Sequence, residues 1–234
     1  MAELAAPSRS LLATLGVLTM VSGIVDAVSY LGLGHVFTAN MTGNVVLLGF
    51  GVAGAPGFSV TASLASLGSF VLGAIAAGRM TLHVGSRRSW LLLAMIIECL
   101  FTAGAAAASA VEGGQVSTGS TRYVVIVLLA FAMGVRNATV RRLSVSGITT
   151  TVLTMTLTGL ASDSSLAGGT NPEVARRLSA IALMFGGAIL GAVLFLHTGA
   201  TWPLLIVAVG VLVTTIAFAR APQSHRLDGE PGTD

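Results

Sequence analysis

Residues 38 to 44 read TANMTGN, and the fold turns on whether these seven residues form a loop in water or a polar break at membrane depth. They lie between LLATLGVLTMVSGIVDAVSYLGLG, residues 11–34, and VVLLGFGVAG, residues 45–54. After the motif only Val45 to Gly54 remain before the Pro56-Gly57 turn. Ten helical residues rise ~15 Å, about half of the ~30 Å hydrocarbon core of a bilayer. The stretch 36–54 is therefore expected to enter and leave on one face. A second short stretch, 146–162, contains GITTTVLTMTLTGLAS with six threonines and runs into Asp163. It is expected to behave alike.

The composition is that of a membrane protein. Of 234 residues, 54% are hydrophobic and 9% charged, with mean hydropathy +0.89; soluble domains carry roughly 25% charged residues. Long apolar segments near 11–33, 61–81, 90–111, 122–140, 174–197 and 201–220 are continuous, as helices require, and do not alternate as barrel strands do. The first is read as a spanning helix rather than a signal peptide, because it runs on without a small-residue cleavage site. The net charge of +3 comes from scattered arginines and no lysine. Nucleic-acid binding needs a clustered basic face, so that class is excluded. Cys99 stands alone, which rules out an intrachain disulfide and a cysteine-rich zinc site. No nucleophile–base set, phosphate loop or metal cluster is visible, so neither an enzyme nor a cofactor is expected.

Arginine placement tests the topology, since cytoplasmic flanks collect basic residues. With both short stretches re-entrant and the N-terminus inside, only Arg122 of the twelve basic residues lies outside. If both stretches span, the split becomes six to six. A rival in which 36–54 spans alone, with the N-terminus outside, leaves Arg9 and Arg122 external and is not separated by this rule.

Weak self-similarity favours the first arrangement. Gly23-Ile24-Val25-Asp26-Ala27 resembles Gly134-Val135-Arg136-Asn137-Ala138 at an offset of 111 (137 − 26), which lays TANMTGN over TTTVLTM. Trp90 and Trp202 open the last helix of each half, and Gly73 aligns with Gly191 after a short insertion. The expected fold class is an all-α integral membrane protein with about six spanning helices plus two re-entrant or broken half-helices. These form two inverted repeats, about 11–111 and 122–220, within one transmembrane domain 11–220. Residues 1–10 form a cytoplasmic segment, and 221–234 a disordered cytoplasmic tail. Inverted repeats with broken helices place a binding site near the midplane.

The candidate binding residues are Asp26, Thr38, Asn40, Thr42, Gly43 and Asn44 from the first half, with Asn137, Thr149, Thr151 and Thr154 from the second. Amides and hydroxyls offer donors and acceptors, and Gly43 permits a tight backbone turn. Thr151, Thr154 and Thr158 share one helical face; such threonines line a pathway or bond back to their own helix. A carboxylate inside a spanning helix is costly, so Asp26 either carries the coupling proton or cation or bonds backbone amides freed where the helix breaks. Glu98, flanked by Ile97 and Cys99, is expected to be protonated or paired, as an inter-helix hydrogen bond rather than a second coupling carboxylate. Arg136 is placed more than ~10 Å from Asp26 along the membrane normal and is expected to snorkel to the cytoplasmic interface. Ser69, Gly73 and Ala77, and likewise Gly187 and Gly191, are expected to mark close helix packing. His35 falls in the outer interface, and His83, His197 and His225 lie in loops or the tail.

The runs VDAVSYLGLGHVFTANMTGNVVLLG and RNATVRRLSVSGITTTVLTMTLTGLASD resemble the YoaK-like family, bacterial membrane proteins classed as a domain of unknown function. The likeness extends from about Leu11 to Arg220. It implies recurrence of the Asp matching Asp26 and of the triplet matching Thr42-Gly43-Asn44, and a multi-pass protein of the bacterial inner membrane. Where the family commonly has Gln, this chain has Arg136, which removes a neutral amide there. No substrate is implied. The expected function is a small-solute transporter or channel, with coupling through Asp26; the alternative is a non-transporting scaffold or regulatory subunit. The expected partners are the lipid bilayer and a small solute that the sequence does not identify, with a homo-oligomer compatible.

Overall fold

The computed structural model describes residues 9–82, 84–114, 119–143, 153–170 and 173–221. These form eight α-helices and one 3-10 turn, with no strand among the described residues. The helices are α1 (Arg9–Gly32), α2 (Met41–Val52), α3 (Val60–Met80), α4 (Arg87–Val111), α5 (Ser120–Leu143), α6 (Leu153–Ser162), α7 (Val174–Thr198) and α8 (Thr201–Arg220); the 3-10 turn is Ser165–Ala167. All except α2 and α6 are long and apolar enough to cross a membrane, which makes six candidate spans. They match the apolar segments of the sequence to within three residues at most ends. The protein is a multi-pass, all-helical membrane protein.

Helix starts follow local chemistry. Asn40, Ser59 and Ser86 cap α2, α3 and α4, each accepting from the backbone N–H three residues on, the usual satisfaction of an orphan donor. α2 is 12 residues long, ~18 Å at 1.5 Å per residue, and so too short to cross. The chain on either side of α2 closes on itself: the His35 ring Nδ1 lies 3.1 Å from the Gly57 carbonyl oxygen. His35 is exposed, packing edge-on against Tyr30.

The spans pack as α1 on α7, α3 on α5, α4 on both α5 and α8, and α8 on α1, with α2 on α3 and α6 on α7. α1 and α5 lie innermost, and α7 is the most peripheral. Glycines set the two closest crossings. A Cβ on Gly23 would collide with the Met184 carbonyl oxygen, and one on Gly187 with that of Met20. Across the other crossing, a Cβ on Gly134 would collide with the Phe70 carbonyl oxygen, and one on Gly73 with that of Phe131. Lipid offers no hydrophobic drive between helices, so such close backbone approach is what joins them. The small-residue faces at Ser69–Gly73–Ala77 and Gly187–Gly191 are therefore packing faces, as the sequence suggests.

Both ends of the α4–α8 pair are clipped. Arg88 Nη2 donates to the carbonyls of Phe218 (2.9 Å), Ala219 (3.0 Å) and Ala221 (2.7 Å), a cation on orphan carbonyls at a helix C-terminus. At the opposite end the Ala200 N–H donates to the Gly114 carbonyl at 3.0 Å, and the Ser109 and Thr201 hydroxyls are bonded at 3.0 Å. At the α6–α7 junction, Arg177 Nη1 donates to Asp163 Oδ2 at 2.8 Å. That bond holds the Asp163 carboxyl below the usual aspartate range.

Replacing Gly134 by Val forces a side chain into the Phe70 backbone. Overpacking of this kind costs ~1–3 kcal/mol, and the expected outcome is a lower thermal unfolding midpoint in detergent. Gly210, whose added Cβ meets nothing, serves as the control: Gly210→Ala leaves the midpoint unchanged.

Candidate functional site

Between α1 and α2 the chain abandons helical geometry, and its freed peptide groups are met by side chains of Asp26, Asn44 and Ser66. Asp26 Oδ1 accepts from the backbone N–H of Ala39 at 2.8 Å and of Thr38 at 3.2 Å. Asn44 grips the Phe37 peptide from both sides: its Oδ1 accepts the Phe37 N–H at 2.8 Å, and its Nδ2 donates to the Phe37 carbonyl at 2.6 Å. The Ser66 hydroxyl, from α3, donates to the same carbonyl at 2.7 Å and accepts from Asn44 Nδ2 at 3.1 Å. The start of α2 is thereby tied to α1 and α3. Gly43 lies in the first turn of α2 rather than at a bend, and the Phe37 ring occupies the space its Cβ would take. The tight turn allowed for at Gly43 is absent, and positive φ occurs instead at Gly34 (φ 84°) and His35 (φ 55°).

Beside this cap is a cavity of about 550 Å3. Its polar wall carries Ser22 and Asp26 from α1, Asn40 and Thr42 from the start of α2, Asn137 from α5 and Thr154 from the first turn of α6. Gly43 also lines it, and the apolar remainder includes Val46, Leu153, Met155 and Met184. The cavity thus brings together six of the ten residues proposed from sequence: Asp26, Asn40, Thr42, Gly43, Asn137 and Thr154. Thr38 and Asn44 are fully buried behind its wall, and Asn44 is committed to the Phe37 peptide. Thr149 and Thr151 lie outside the described residues, as do His83 and His225. On α6 it is Thr156 that is buried, while Thr158 is exposed, so the expected threonine face is not the packing face.

A second polar cluster adjoins the cavity. Arg136 is 1% exposed and does not snorkel. Its Nη1 donates to Glu98 Oε1 at 2.7 Å, and its Nη2 donates to the Ser22 hydroxyl and contacts Met133 Sδ. Side chains on a helix lean toward its N-terminus, so Arg136 reaches away from the nearer end of α5 and meets Glu98 on α4. Glu98 is thus paired, one of the two expected alternatives, and its partner is Arg136. Ser22 faces both the cavity and Arg136. It sits one helical turn before Asp26 on the same face, the one sequence signal that could have flagged it; Met184 gives no such signal.

An all-helical, multi-pass membrane protein with a mixed polar cavity between helices from both halves of the chain is the class these features define. The chain belongs to the DUF1275 family, described as a protein of unknown function, whose pattern matches residues 14–217. It is similar to the UPF0700 transmembrane protein YoaK of Bacillus subtilis (strain 168), with 37% identity over 155 residues. That match takes in 64% of this chain and 66% of the relative, just under two thirds of its length. No solved structure matches.

Removing one member of a buried ion pair costs ~3–5 kcal/mol, whereas replacing both by apolar groups costs far less. Glu98→Leu alone and Arg136→Met alone are therefore expected to destabilise more than the two together, as read by thermal unfolding of the purified variants.

Proposed function

We propose that this protein is a small-solute transporter or channel of the bacterial cytoplasmic membrane, with the cavity at Asp26 as its solute site. The observation that carries the reading is the meeting of the α2 and α6 starts, from opposite halves of the chain, at one polar cavity beside a buried carboxylate. Ionisable groups inside membrane proteins face cavities, and they mark ion or substrate pathways. Asp26 is the group that couples transport to a proton or cation.

The architecture proposed with it is a pair of inverted repeats with re-entrant half-helices α2 and α6, and both termini cytoplasmic. Support comes from the main helix pairings, which exchange when α1–α4 are swapped for α5–α8, although the lesser α7·α8 contact has no α3·α4 counterpart of similar extent. The α1·α7 crossing becomes α5·α3, the α4·α5 contact becomes α8·α1, and α2·α3 becomes α6·α7. The close contacts exchange as well. Gly23 against Met184 corresponds to Gly134 against Phe70, and Gly187 against Met20 corresponds to Gly73 against Phe131. The offsets are 111 for Gly23 and Met20 (134 − 23, 131 − 20) and 114 for Phe70 and Gly73 (184 − 70, 187 − 73). On this alignment the partner of Gly73 is Gly187 rather than Gly191. The His35–Gly57 closure supports re-entry of α2.

Two measurements test the reading. In a Cys99→Ser background, thiol labelling of intact cells is expected to modify Pro56→Cys, but Ala2→Cys and Leu166→Cys only after permeabilisation. External labelling at residue 2 would overturn the inverted repeat. For the site, the purified protein is screened by thermal shift against small metabolites, since a ligand stabilises the fold by RT ln(1 + [L]/Kd). A hit is expected that Asn40→Ala weakens and that drives flux in proteoliposomes. A ligand that binds without any flux would argue for a non-transporting membrane subunit instead.

A further inference from the structure

The cavity wall carries one formal charge. Asp26 is the only ionisable side chain among its described lining residues. Arg136 reaches that wall only through the Ser22 hydroxyl, and it carries its own counter-charge, because Glu98 Oε1 lies 2.7 Å from its Nη1. Arg136 and Glu98 sum to no net formal charge, so the ionised Asp26 carboxylate gives the three groups together a net negative sign.

A helix N-terminus would ordinarily favour an anion, and α2 begins at this cavity. Here the protein's own Asp26 carboxylate already sits against the amides that lead into that start. The Thr38 and Ala39 N–H groups bond Asp26 Oδ1, the Gly43 N–H bonds Asn40 Oδ1 at 3.2 Å, and the Asn44 N–H bonds the Asn40 carbonyl at 3.3 Å. What remains toward the cavity is a carboxylate surrounded by amide and hydroxyl oxygens.

The donor set narrows the cation. A calcium ion takes ~6–8 oxygen ligands, commonly several carboxylates, and no group of three His, Cys, Asp or Glu occurs among the described residues. Quaternary ammonium ions are held by aromatic cages, and no aromatic side chain is among the described residues that line this cavity. An ammonium with N–H groups fits better. It donates two or three hydrogen bonds, which match Asp26 and the hydroxyl oxygens of Thr42 and Thr154. Val46, Leu153, Met155 and Met184 give its hydrocarbon part an apolar wall. The volume of about 550 Å3 lies within the ~300–1,000 Å3 of small-molecule pockets.

We propose that this cavity binds a small primary or secondary organic ammonium ion, with its N–H groups directed at Asp26 and the oxygens around it. The inference deepens the transport reading and rests on it for biological meaning, while binding is measured apart from flux. The full-length protein in detergent is titrated with propylammonium chloride, and with sodium chloride, propionamide and sodium propionate, which match it in ionic strength or in shape. Propylammonium alone is expected to raise the unfolding midpoint saturably, and Asp26→Asn to weaken it by roughly tenfold or more, the scale of one lost charge at contact in a partly polar site. Because Asp26 also holds the Thr38 and Ala39 amides, Thr154→Val on α6 is the second variant, expected to weaken binding measurably while remaining folded. Equal stabilisation by sodium chloride, stronger stabilisation by propionamide or propionate, or affinity unchanged in Thr154→Val overturns the proposal. Proteoliposome counterflow separates the two readings. Propylammonium binding without flux keeps this inference and removes the transporter, whereas flux of the amide or carboxylate alone does the reverse.

Discussion

A backbone that leaves helical geometry in apolar surroundings must find partners for its N–H and C=O groups, and the whole site of this protein depends on how that demand is met between Gly32 and Met41. Three consecutive N–H groups, at Phe37, Thr38 and Ala39, are satisfied by Asp26 and Asn44, and the Phe37 carbonyl by Asn44 and Ser66. Unmet, each such group costs several kcal/mol in hydrocarbon. The side chains that meet it are not ornaments on a pre-existing pathway. They are what allows α2 to begin where it does, and the cavity exists beside that beginning.

This changes the roles of individual residues. Asn44, which reads from sequence as a solute ligand, has its amide committed to holding the chain. Asp26 stands between the two readings offered for it, because one carboxylate oxygen accepts backbone amides while the side chain also lines the cavity. Any ligand or proton that engages Asp26 therefore acts on the group that anchors α2. Chemistry at the site and the position of α2 are linked through a single side chain.

The buried Arg136–Glu98 pair follows a similar logic at a different place. Neither charge is tolerable alone in this interior, and together they leave a near-neutral neighbour to the cavity with Ser22 as the bridge. The sequence suggested that Glu98 had a partner but not which one. Depth along the helix axes argued against Asp26 and for snorkelling, since a sum over backbone rise takes no account of a side chain ~6 Å long that leans toward the helix N-terminus. The orientation of that one arginine decides where positive charge lies in the molecule.

Much of the fold was legible beforehand, because hydrocarbon thickness and the apolarity of helix faces are one-dimensional constraints. The six long segments, the two short polar stretches, and the small-residue faces at Gly73 and Gly187 all follow from run length and residue size. Six of the cavity residues also stood out, since a buried polar side chain in so apolar a chain is conspicuous wherever it falls. What only the tertiary structure decided was which polar groups meet: Asn44 with Phe37, Glu98 with Arg136, Ser22 with both the cavity and the ion pair. Those pairings depend on rotation about helix axes and on side-chain reach across 7 to 114 residues of sequence, and no local pattern carries that information. Amino-acid chemistry determined that this chain lives in a membrane; packing geometry determined that the break between α1 and α2 is sealed by Asp26 and Asn44, and that one carboxylate is left facing a cavity.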